Sequence, residues 1–126
     1  MKNTKIDVAN NYNGNVIADK SKLTNVIINI IYNALDAIQE NSNGLININV
    51  NEAENNMLKI TIANNGSAIS QETQERIFEE GFTSKNTGSG LGLYISKEAM
   101  KEQYGDLVLL KSDDNETIFE ITVPKL

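Results

Sequence analysis

The sequence predicts an α+β domain in which helix packs on sheet. From Leu23 to Ile38, apolar residues recur at helical spacing without a gap. Further along, several short segments alternate apolar and polar residues, the period of a half-buried strand. A length of 126 residues bounds these elements to one domain around a single core.

Taken in order, KIDVA (from Lys5) and NVIA (from Asn15) are short strand candidates. The long helix follows, with Leu23, Val26, Ile27, Ile30, Ile31, Ala34, Leu35 and Ile38 as its apolar stripe and Gly44 as its stop. Ile46, Ile48 and Val50 then alternate with Asn47, Asn49 and Asn51. Asn55-Asn56 is the turn into MLKITIA, where Leu58, Ile60 and Ile62 share a face. After Asn64-Asn65-Gly66, the stretch QETQERIFEEGF reads as a short helix capped by Ser70, with Glu72 in its first turn. TSKNTGSGLGLYISK carries glycines at 88, 90 and 92 and leads into a helix containing Leu91, Tyr94, Ile95 and Ala99. LVLLK, from Leu107, and TIFEITVP close the chain as strands, with Phe119, Ile121 and Val123 inward.

Composition excludes several classes of function. Apolar residues make up 40% of the chain, which is globular rather than disordered. A net charge of −6 argues against a nucleic-acid surface, which needs a basic stripe. With neither cysteine nor histidine, disulfides, thiolate or imidazole metal sites and His-dependent triads are ruled out. No apolar run reaches membrane-spanning length and no signal peptide opens the chain, so a cytoplasmic domain without direct membrane contact is expected.

Three places are chemically unusual. Asn25, Asn29, Asn33 and Asp36 form a polar ridge beside the buried stripe of the long helix. Asparagine is a mediocre helix former, so the ridge is either a ligand surface or the solvated face of an Asn-rich chain. Asn64-Asn65-Gly66 ends a strand in a glycine loop, where an Asn-Gly pair also serves as a plain turn. The run Gly88, Gly90, Gly92 has neither P-loop nor Rossmann spacing. It is a surface loop, or a loop whose following helix N-terminus faces an anion, with Lys85 and Lys97 on its flanks.

In combination the three places carry more. NIIYNALDAI, NNGSAIS, IFEEGFTSK and GSGLGLYISK resemble, in order, the N-box, first glycine box, F-box and second glycine box of the ATP-binding domain of sensor histidine kinases, in the GHKL superfamily. ETIFEITVP resembles the closing strand of that family, and the likeness spans about Asp19 to Pro124. The fold it implies is a Bergerat-type two-layer α/β sandwich, a mixed sheet covered on one face by about three helices. The cofactors it implies are ATP and Mg2+.

The resemblance also assigns roles. Asn33 would ligate magnesium through a hard amide oxygen. Asn29 stands where water-directed relatives carry a Glu base, and an amide cannot take that proton. Asp36 would lie near ribose or phosphate, and Lys85 would offset γ-phosphate charge. Asn64 replaces the usual Asp that accepts from the adenine amino group, and Ala68 replaces a glycine. Gly66 and Ile69 complete that box. Phe82, Thr83, Gly88, Ser89, Gly90, Leu91, Gly92 and Leu93 would form the ATP lid and its anchor, and Thr117 would put a hydroxyl near the base. The activity implied is transfer of the γ-phosphoryl group to a histidine on a separate helical dimerisation domain, upstream of a response regulator. With no histidine, residues 1–126 would be the catalytic domain alone. An anti-sigma-type serine kinase and a non-catalytic nucleotide-binding module are the alternatives.

Overall fold

The computed structural model describes residues 4–39, 43–82 and 92–126. Strand β1 (Lys5–Asn10) leads to helix α1 (Lys20–Ile38), then to strands β2 (Leu45–Ala53) and β3 (Met57–Asn64). A single helical turn α2 (Gln71–Gln74), helix α3 (Gly92–Glu102) and strands β4 (Asp106–Ser112) and β5 (Thr117–Pro124) follow. The sheet order is β1-β2-β3-β5-β4. Only β1 and β2 run parallel among the paired strands, which requires a crossover, and α1 supplies it. This is the mixed sheet with three helices that the resemblance implies.

Why these segments form these elements follows from one-sided burial. In β3 and β5 every second residue is buried. Leu58, Ile60 and Ile62 thus share the inner face with Phe119, Ile121 and Val123. Val26, Ile30, Ala34 and Ile38 of α1 and Met100 of α3 pack onto that face. Each such large side chain contributes about 1.5–3 kcal/mol by leaving water. The β2–β3 hairpin turns through Asn55 and Asn56, both at φ 60°, a left-handed pair that asparagine tolerates well. Between β4 and β5, Asp113 Oδ1 accepts from the backbone N–H groups of Glu116 (3.0 Å) and Asn115 (2.8 Å). Those bonds hold its carboxyl below the ordinary range.

Three expectations are corrected. NVIA is not a strand: it makes one antiparallel bridge, Val16 to Lys125, because it only brushes the end of β5. The helix at Gln71 stops after one turn. Beyond it the backbone bonds tighten to three-residue spacing, Arg76 N–H to Thr73 O and Glu79 N–H to Arg76 O. Ile77 and Phe78 on this tightened stretch both pack toward the core. The helix α1 ends at Ile38, well before Gly44, with Gln39 turning out at φ 47°. Of the described helices, none is long and apolar enough to cross a membrane.

Candidate functional site

On the polar ridge of α1, Asn29 faces α3. Asn29 is half-buried, and its Nδ2 donates to Ser96 Oγ on α3 at 3.0 Å. Ser96 is 5% exposed, a polar side chain on the stripe that also buries Met100. A Cβ at Gly92 would lie 2.9 Å from Asn29 Oδ1. The first turn of α3 therefore lies against the Asn29 carboxamide, and a larger residue at position 92 would have to push that side chain aside. Asn33, one turn on, is half-buried, and Asp36 is exposed. These are two neutral amides and a carboxylate along one helix flank.

The second half of the site lies at the end of β3. Asn64 is 5% exposed and pairs across the sheet with Thr117, 2% exposed. Its Oδ1 accepts from Gly66 N–H at 2.8 Å. The Thr117 hydroxyl lies 2.6 Å from Ser112 Oγ, which in turn accepts from Ile69 N–H at 2.8 Å. Ile69 and Leu93 are half-buried against the core. Gly66 is pressed onto α1, where an added Cβ would lie 2.4 Å from the Ala37 carbonyl carbon. Ser67 N–H donates to Ala37 O at 3.0 Å, which fastens the glycine loop to the same helix that carries the amide ridge.

Asn65 turns the other way. Its Oδ1 accepts from Leu45 N–H and its Nδ2 donates to Asn43 O, both at 2.8 Å. It is a staple between the loop and β2. Phe82 stands under the Arg76 guanidinium, 4.6 Å from the ring centroid. Lys97, a flank of the glycine run in sequence, is engaged at the start of β4. Its Nζ is drawn to Asp106 Oδ1 (3.0 Å) and Leu107 O (2.7 Å), over the Phe78 ring. Thr83, Lys85, Gly88, Ser89, Gly90 and Leu91 lie outside the described residues.

Sequence reasoning missed Ser96 and Ser112. Ser96 carried a readable signal, a polar residue four positions from Met100 on the buried side of α3. Ser112 carried none. A register shift between Leu109 and Lys111 sets which way it faces.

An amide ridge, a glycine loop fastened to the same helix and a glycine-started helix resting on that ridge occur in order from residue 18 to 126. That stretch matches the family model described as histidine kinase-, DNA gyrase B- and HSP90-like ATPase. The chain belongs to this ATPase family. The C4-dicarboxylate transport sensor protein DctB of Rhizobium meliloti (strain 1021) is 35% identical over 109 residues, covering 86% of this chain and 17% of that protein. Sensor histidine kinase ZraS of Salmonella typhimurium (strain LT2) is 33% identical over 108 residues, covering 85% of this chain and 23% of the relative. The chain thus spans less than a quarter of these curated relatives. Among solved structures, the nucleotide-free catalytic domain of histidine kinase ThkA superposes with a TM-score of 0.84 at 28% identity, covering 98% of this chain and 80% of that one. ThkA has also been solved in complex with the response regulator protein TrrA, with a TM-score of 0.78 at 26% identity, covering 98% of this chain and 35% of that one. The catalytic ATP-binding part of sensor histidine kinases is therefore the family context of this ATPase domain, and neither serine kinases nor non-catalytic modules are favoured by it.

Proposed function

We propose that this domain binds Mg-ATP along the α1 flank and donates the γ-phosphoryl group to a histidine on a separate helical dimerisation domain, from which a response regulator is then phosphorylated. The observation that carries this reading is the contact of Gly92 with Asn29, which puts the end of the glycine run on the amide ridge.

The residues fit a magnesium ion. Among the described residues no cluster of three or more acidic groups could cage a metal. Magnesium does not need one, since it keeps several waters and takes one or two protein oxygens plus phosphates. Asn33 supplies such an oxygen, and the bound ion would neutralise charge on the phosphates. Asn29 contributes orientation. Its amide is held by Ser96, and as an amide it takes no proton from water, so hydrolysis is disfavoured relative to transfer to a positioned acceptor. Asp36 serves the ribose side, Lys85 the γ-phosphate, and Asn64 with Thr117 the base. Phe82, Thr83, Gly88, Ser89, Gly90, Leu91, Gly92 and Leu93 form the segment that closes on the phosphates, and Gly66 and Ile69 the loop beside the base. Residues 1–126 act as one catalytic domain in the cytoplasm.

The deciding experiment is incubation with γ-labelled ATP and magnesium in the presence of a His-bearing helical domain from the same protein. Acid-labile, base-stable label on that domain is expected. Label on a serine would reject the reading.

A further inference from the structure

The geometry points to a base site that reads the purine 6-position with a hydrogen-bond donor, so that 6-oxopurine nucleotides bind alongside ATP. This rests on the proposed role of Asn64 as the base contact and concerns which bases that contact admits.

A backbone N–H can only donate. The Asn64 atom 2.8 Å from Gly66 N is therefore its oxygen, and the orientation of the carboxamide is fixed by chemistry rather than by choice. Gly66 has little room to give this bond up. It is packed on the Ala37 backbone, the next residue bonds Ala37 O, and the preceding one is stapled to Leu45 and Asn43. With Oδ1 turned toward Gly66, the other end of the side chain is Nδ2, two donors and no acceptor. A carboxylate in the same pose would give one oxygen to Gly66 and present a second oxygen, an acceptor.

That difference inverts what the site asks of a base. The adenine 6-amino group is a donor and pairs with an acceptor. Nδ2 instead pairs with an acceptor on the base, either N1 of adenine or the 6-carbonyl of hypoxanthine. The neighbouring hydroxyl does not restore the old polarity. Thr117 Oγ1 and Ser112 Oγ share one bond at 2.6 Å in which either can donate, so the pair adapts to a donor or an acceptor on the ligand.

ATP and inosine triphosphate differ at the 6-position and its adjoining ring nitrogen, and their magnesium complexes are the probes. By titration calorimetry the unaltered chain is expected to bind the two within about tenfold of each other. Asn64→Asp is expected to shift the ratio toward ATP by about tenfold or more. Rejection of inosine triphosphate by about a hundredfold in the unaltered chain would overturn the inference, and this arm needs no variant to fold. An unchanged ratio in folded Asn64→Asp, checked by circular dichroism, would also overturn it. ATP bound with inosine triphosphate refused rejects the donor reading alone, whereas binding of neither rejects the nucleotide reading beneath it as well.

Discussion

Asn29 on α1 and Ser96 on α3 are joined by a 3.0 Å hydrogen bond that crosses the gap between the two helices. The bond runs from amide nitrogen to hydroxyl, which leaves the amide oxygen toward Gly92 at the start of α3. Ser96→Ala removes the acceptor and lets that carboxamide turn. The expected loss of stability is about 0.5–1.5 kcal/mol, the usual net worth of such a bond. Affinity for Mg-ATP should also fall about three- to tenfold, roughly 0.7–1.4 kcal/mol. Calorimetric titration beside thermal unfolding tests this. A lower melting temperature with unaltered affinity would make Ser96 a packing residue only.

Asn33→Ala should leave the fold intact, since the side chain is only half-buried on a polar flank. Magnesium-dependent ATP binding should weaken at least tenfold, about 1.4 kcal/mol. ATP titration with and without magnesium, on protein whose circular dichroism matches the parent, is the measurement. Equal affinity in parent and variant would remove Asn33 from the metal site.

Gly66→Ala forces a methyl group to within 2.4 Å of the Ala37 backbone, where no flexible side chain can move aside. Overpacking of this kind costs typically 1–3 kcal/mol, so about that loss is expected in urea unfolding. A variant as stable as the parent would show that the loop lifts off α1 without strain.

With no histidine in the sequence, the isolated chain should not label itself from γ-labelled ATP, and its own hydrolysis should be slow. Asn29→Glu places a proton acceptor on the ridge and should raise phosphate release. Phosphate release is followed with excess Mg-ATP. Acid-stable label on the chain alone would point to a serine or threonine acceptor instead.

The long helix and the later strands were legible because each buries one face, and one-sided burial prints its period into the sequence. Ser70 was legible as a cap for a similar reason, since its hydroxyl accepts from Thr73 N–H where an N-cap should. NVIA and the helix after Gln71 were not. Their local patterns favoured regular elements, but the end of β5 offers only one bridge, and after Gln74 the backbone tightens to three-residue bonds that no sequence period announces. In the candidate site, the sequence boxes located the amide ridge, the loop at Gly66 and the glycine that starts α3. The direction of the Asn64 amide, the capture of Lys97 by Asp106 and the Ser112–Thr117 pair depend on contacts between residues distant in sequence or on a bulge. No local pattern encodes these.

Asn64 and Thr117 are facing partners on β3 and β5, the two strands next to each other inside the sheet. Everything from the glycine loop through α2, α3 and β4 lies between them in the chain. That pairing closes a long loop, and non-local strand pairing of this kind is slow to form. The two halves of the proposed base contact therefore come together only once β3 and β5 have paired. A partly folded chain has no such contact, and nucleotide acts on the finished state by mass action, adding about 2.7 kcal/mol at a hundred times its dissociation constant. Inside a cell, the nucleotide pool would then set how long this domain survives proteolysis as well as how much of it is loaded.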